Sequence, residues 1–180
     1  MPSSLKGKSI AIIATDYFEE SELVEPLEAL QDAGADVEIV APHDGEIKGL
    51  NHVDPGQSIP VDKTLDEMDM SKYDAIVLPG GAVNSDNLRM NDRARQVIRG
   101  FMDAGKLVAA ICHAPWAIVS AGRSDGKQMT SFPTIQDDIR NAGGEWVHEE
   151  VVIDQYLITS RKPDDIPAFN QAIIRTLATS

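Results

Sequence analysis

Cysteine is all but missing from this chain. A single thiol, Cys112, stands among 180 residues. No intramolecular disulfide can form, which excludes a disulfide-stapled secreted scaffold and points to a reducing compartment. Long hydrophobic runs are missing too. No apolar stretch approaches the roughly 20 residues that a membrane-spanning helix requires. The opening residues, MPSSLKGKSI, lack the apolar segment of a secretory signal. Positive charge is scarce: 16 Lys and Arg face 29 Asp and Glu, for a net charge of −13. So acidic a surface repels phosphate backbones and argues against direct nucleic-acid binding. These absences predict a cytoplasmic protein with neither a membrane nor a nucleic acid as partner.

What is present is ordinary globular material. Apolar residues make up 42% of the chain and charged residues 25%, as in typical folded domains. Residues 9–15, SIAIIAT, form a β-branched run that reads as a buried strand. Residues 20–34 carry Leu23, Leu27, Leu30 and Ala33 at helical spacing, with Gly34 as the stop. Pro26 falls inside that pattern, where its missing N–H and its ring predict a kink or a late start. Residues 35–42 read as the next strand, and strand–helix–strand at this length is a βαβ unit feeding a parallel sheet. Residues 43–73 are polar and turn-rich, the composition of short strands or a hairpin with a connecting loop. A strand at 73–81, a helix at 91–105, a strand at 106–111 and a helix at 114–122 resume the alternation. A turn and helix over 130–144, two strands over 145–160 around Asp154 and Gln155, and a helix over 163–180 complete it. With no repeat and no linker, residues 1–180 read as one doubly wound α/β domain.

Such a fold binds ligands beyond the carboxyl ends of its strands. Cys112 lies at one of these ends, where AAICHAPWAI turns from strand to helix. That is the geometry of a nucleophile elbow, which presents the side chain rather than packing it. The helix start behind it predicts a depressed thiol pKa. His113 is the candidate base, although neighbours in a tight turn can point apart. The competing reading is a structural thiol, since free cysteine is among the most buried residue types. Two more strand ends converge on the same edge. Glu19, Glu20 and Glu22 suit a solvated helix start. One of them turned inward beside Cys112 would be held protonated and donate a hydrogen bond to the thiolate. Gly80 and Gly81 permit close backbone approach, and their N–H groups with that of His113 can line an oxyanion hole. His43, His52 and His148 are scattered without metal-ligand spacing, so they read as surface or capping residues and no metal is expected. In SRKPDD, Asp164 or Asp165 reads as a helix cap.

Together the segments DYFEESELVEP, DAIVLPGG, DNLRMN, AAICHAPW, TSFPTIQDDIRNAG and ITSRKPDDIPAF resemble the PfpI family of the ThiJ/PfpI superfamily. The resemblance implies a single-domain, flavodoxin-like three-layer sandwich with a mostly parallel sheet, related to class I glutamine amidotransferase domains. It implies Cys112 as the elbow nucleophile and Glu22 as the carboxylate that hydrogen-bonds its sulfur. Glu19 is similar to a second acidic position near the pocket. Asp86 falls where members described as proteases carry a glutamate that reaches the Cys-His pair of a neighbouring subunit; aspartate is one methylene shorter. Phe132 stands where some relatives carry tyrosine, so that hydroxyl is lost. A homo-oligomer, at least a dimer, is expected on the same ground.

The activities described for that family are intracellular peptidase, cofactor-independent glyoxalase and deglycase. The expectation drawn here is a stress-protective, cysteine-dependent enzyme without a cofactor. Its substrates would be small α-oxoaldehydes or the protein side chains they have modified. No long cleft-forming insertion is present to hold a polypeptide. Two alternatives stand beside it: a cysteine peptidase with an inter-subunit Cys-His-acid triad, and a redox sensor in which Cys112 is oxidised without turnover.

Overall fold

The computed structural model describes residues 4–180. In chain order the strands and helices are β1 (Ser9–Ile13), β2 (Phe18–Glu19), α1 (Glu20–Asp32), β3 (Asp36–Ala41), β4 (Glu46–Asn51) and β5 (Asp54–Pro60). Then come β6 (Lys63–Thr64), β7 (Ala75–Leu78), α2 (Ala82–Met90), α3 (Asp92–Asp103), β8 (Leu107–Ile111) and α4 (Pro115–Ser120). The chain closes with β9 (Gln128–Met129), α5 (Gln136–Asn141), β10 (Glu145–Trp146), β11 (Val151–Asp154), β12 (Leu157–Ser160) and α6 (Ile166–Ala178).

Seven strands form the central sheet in the order β11-β12-β8-β7-β1-β3-β6. All neighbours are parallel except β11, which returns antiparallel on β12. The run β3-β1-β7-β8-β12 is the flavodoxin-like winding, in which the chain leaves β1 toward one edge and comes back for the other. Alternation along β1 feeds two cores. Ile10 and Ile12 join Leu23, Leu30, Phe169 and Ile173 under α1 and α6. Ala11 and Ile13 join Val97, Ile98, Phe101 and Ile118 under α3 and α4. A strand buried on both faces needs the unbroken apolar run that SIAII supplies.

The departures from the sequence pattern are local. Pro26 neither delays nor interrupts α1, which runs from Glu20 to Asp32 with the proline buried. One absent N–H costs less than the apolar face of a 13-residue helix gains by burial. Residues 82–90, which lie between the strand and the helix read from the sequence, form a helix of their own, so Asp86 sits on an exposed helical face. Of the two strands expected over 145–160, those at 151–154 and 157–160 pair around Asp154 and Gln155, whereas 145–146 pairs with β9 instead. The closing helix begins at Ile166, after a short 3-10 turn over Pro163–Asp165. Asp165 accepts no capping bond and pairs with Arg161. Asn91 ends α2 and starts α3, its side chain accepting from the Ala94 N–H at 2.9 Å. Among the described residues, no helix is long and apolar enough to cross a membrane.

Candidate active site

The carboxyl ends of β1, β7 and β8 meet beside the switch in winding direction. Cys112 follows β8 with φ +64°, a left-handed backbone that a non-glycine residue adopts only under constraint. The constraint is visible. The Cys112 N–H donates to the Ser160 carbonyl at 3.0 Å, and its carbonyl accepts from the Phe132 N–H at 2.8 Å. The strained turn leaves Cys112 6% exposed, with its sulfur on a pocket of about 400 Å³. Glu19, His52, Gly81, His113, Phe132 and Lys162 are among the residues lining it.

The two neighbours in the turn do not point apart. His113 Nδ1 lies 3.2 Å from Cys112 Sγ, and its Nε2 is 3.4 Å from the Thr134 hydroxyl. Its ring stacks on Phe132 at 4.8 Å and meets the edge of Trp116 at 5.3 Å. Burial holds this imidazole below its ordinary pKa, which favours the neutral form that can accept a proton. Phe132 therefore contributes a face that orients the histidine. Thr134 offers the far nitrogen a partner within the same chain.

Glu22 is fully buried on α1. Burial, and then the charge of Glu19, push its carboxyl up from 4.5 to about 8. Neither of its oxygens reaches a partner at full hydrogen-bond geometry among the described residues. The Cys112 sulfur and the Gly80 N–H are nonetheless close enough to pull against that rise. How tight the contact is can be read at Gly80: a Cβ there would lie 2.5 Å from Glu22 Oε1 and 2.6 Å from Cys112 Cβ. Gly81 adopts φ +89°, and a Cβ on it would meet the Glu19 nitrogen at 2.7 Å. The N–H groups of Gly81 and His113 both act on the sulfur and favour its anion.

The depressed thiol expected from the elbow is not what the surroundings favour. Burial, and then the charge of an ionised Glu22, push the Cys112 thiol up, and they outweigh the two N–H groups. The helix behind the elbow is only six residues long, with no side-chain cap. The sulfur is therefore a thiol next to a neutral imidazole. His113 Nδ1 is placed within reach of the thiol proton.

Several residues that hold the site carry no sequence signal. Asn84 is completely buried. Its Oδ1 accepts from the Thr15 N–H at 2.8 Å, and its Nδ2 donates to the carbonyls of Pro79 at 3.0 Å and Gly80 at 2.9 Å. One amide thus ties the loop after β1 to the loop after β7. Arg161 makes a two-pronged pair with buried Asp165, Nε to Oδ2 at 2.9 Å and Nη2 to Oδ1 at 3.0 Å. That pair fixes the turn carrying Lys162 and Asp164 to the pocket rim. Asp86 does not join the pocket within one chain. Among the described residues, no three His, Cys, Asp or Glu side chains converge to hold a metal ion.

The chain has relatives among known proteins. The sequence pattern of the DJ-1/PfpI family matches residues 8–176. The chain belongs to the DJ-1/PfpI family. It is 40% identical to the Protein/nucleic acid deglycase 2 of Escherichia coli, over 95% of this chain and 98% of that protein. It is also 40% identical to General stress protein 18 of Bacillus subtilis, again over 95% of this chain and 98% of the relative. Among solved structures, DJ-1beta of Drosophila melanogaster superposes with a TM-score of 0.88 at 30% identity, over 96% of this chain and 91% of that one. The mostly parallel sheet with its flavodoxin-like winding is therefore the DJ-1/PfpI fold, and deglycase-type enzymes occur among this member's relatives.

Proposed function

We propose that the chain is a cysteine-dependent deglycase that acts on α-oxoaldehydes and on the amine and thiol adducts they form with proteins. The observation that carries this reading is the Cys112–His113 pair at 3.2 Å on a shallow pocket, with the buried acid Glu22 alongside. A site of about 400 Å³ matches a three-carbon carbonyl compound carried on a side chain. The names of the relatives point the same way.

The chemistry follows from the donors present. His113 takes the thiol proton, and the Cys112 sulfur adds to the aldehyde carbon, forming a C–S bond and an oxyanion. The N–H groups of Gly81 and His113, preset before reaction, are suited to hold that charge. His113 or Glu22 then moves a proton between the two substrate carbons. The former aldehyde carbon is oxidised to a thioester while the ketone carbon is reduced to an alcohol, so the electrons balance within the substrate. Water cleaves the thioester and releases lactate from methylglyoxal, or glycolate from glyoxal.

A homo-oligomer, with Asp86 reaching toward a neighbouring copy, belongs to the same reading and is tested by sedimentation. The reading itself is tested by measuring hydroxy acid from methylglyoxal, and free amine or thiol from the adducts. Cys112→Ala should abolish both. A purified protein that did neither would leave the peptidase or sensor alternatives in its place.

A further inference from the structure

His52 occupies the two-residue turn between β4 and β5 with φ +57°, the left-handed backbone that so tight a hairpin favours. Its backbone N–H donates to both oxygens of Glu19, each at 3.2 Å, and its ring Nδ1 lies 3.8 Å from Glu19 Oε1. The hairpin does not depend on that contact for docking. β2 already pairs with β4, and Glu20 accepts from the Gln57 N–H at 3.2 Å and from its side-chain amide at 2.9 Å. The contact with Glu19 is therefore an addition to those ties. The turn places a largely exposed imidazole at the mouth of the pocket that holds Cys112, with a largely buried carboxylate against it.

Breaking the C–N bond of an amine adduct needs a proton on the leaving nitrogen. His113 is engaged with the sulfur. Lys162, also on the pocket, is paired with Asp164 at 3.3 Å. Glu22 is fully buried and does not line the open pocket, and Glu19 is held by the His52 N–H, which leaves the His52 ring as the proton donor for a leaving group there.

Building on the deglycase reading, we propose that His52, held by Glu19, is the general acid that releases the amine. The adduct R–NH–CH(OH)–CO–CH3 gives up its hydroxyl proton to the Cys112–His113 pair. The C=O bond forms as the C–N bond breaks, and its electron pair goes to nitrogen. That nitrogen takes a proton from the His52 imidazolium and leaves as R–NH2. His113 passes the hydroxyl proton to solvent and then takes the thiol proton as the Cys112 sulfur adds to the freed aldehyde, and solvent reprotonates His52. A thiol adduct needs no such acid, because its leaving group departs as a thiolate.

The test compares methylglyoxal adducts of N-acetyllysine and of N-acetylcysteine. His52→Asn and His52→Gly both tolerate the left-handed turn and keep the N–H that binds Glu19. The ratio of amine release to thiol release should fall about a hundredfold in His52→Asn, within the range of general acid catalysis. In His52→Gly, added imidazole should restore amine release. An unchanged ratio, or a lack of response to imidazole, would overturn the role of His52 while leaving the deglycase reading intact. If the parent protein released neither group and formed no hydroxy acid, both would fall.

Discussion

Replacing Glu22 by glutamine should remove a loss of stability that the parent suffers as pH rises. The carboxyl is fully buried and shifted from 4.5 to about 8. In the unfolded chain it loses its proton near 4.5; in the folded chain it keeps the proton until about pH 8. Between those values the folded state binds the extra proton, so its stability falls as pH rises, by about 1.4 kcal/mol per pH unit. The contribution is complete below pH 4.5 and is lost as pH passes about 8, a change on the order of 5 kcal/mol. Glutamine has the same shape and does not titrate. The stability difference between Glu22→Gln and the parent should therefore move in favour of the variant by several kcal/mol across this window. Urea midpoints at closely spaced pH values measure it, and an unchanged m confirms that the same unfolding is being followed. Other titrating groups cancel in the difference. Parallel curves for the two proteins would refute the reasoning, because they would mean that Glu22 is already ionised in the fold.

Three further outcomes are expected. Asn84→Ala leaves the Thr15 N–H and the Pro79 and Gly80 carbonyls without their partner; it should cost about 2–4 kcal/mol and lower kcat more than it raises KM, which unfolding and steady-state kinetics would show. Iodoacetamide labelling of Cys112 should have its midpoint above the ordinary thiol value of roughly 8.5, because burial and Glu22 push the thiol up; a midpoint below 7 would reinstate the preformed thiolate. Asn91→Ala removes the cap on the Ala94 N–H and should cost about 1 kcal/mol in denaturant unfolding, with turnover unchanged.

The sheet was legible because its strands are buried on both faces, and such strands must be continuous apolar runs: SIAII, AIVL and LVAAI can hardly be anything else. Cys112 was legible for the same reason, since the end of an apolar run at the start of a helix is a place and not only a residue type. α2 was hidden. AVNSDNLRM has the turn-forming side chains of a loop, and it is helical because Asn84, Ser85 and Leu88 are buried beneath it. The part played by Asn84 is tertiary: its three partners come from two loops, and one of them is 69 residues away. His52 read as a surface residue and is exposed; its contact with Glu19 is tertiary, and local sequence does not display it. The thiol was misjudged. A helix start can be seen in sequence, but the depth of burial that opposes it cannot.

The most direct test of the central claim is turnover by purified protein and by Cys112→Ala, with methylglyoxal and with its amine and thiol adducts as substrates. The account predicts lactate from the free aldehyde and released amine or thiol from the adducts, all lost with the sulfur. Equal rates for the parent and Cys112→Ala would contradict it.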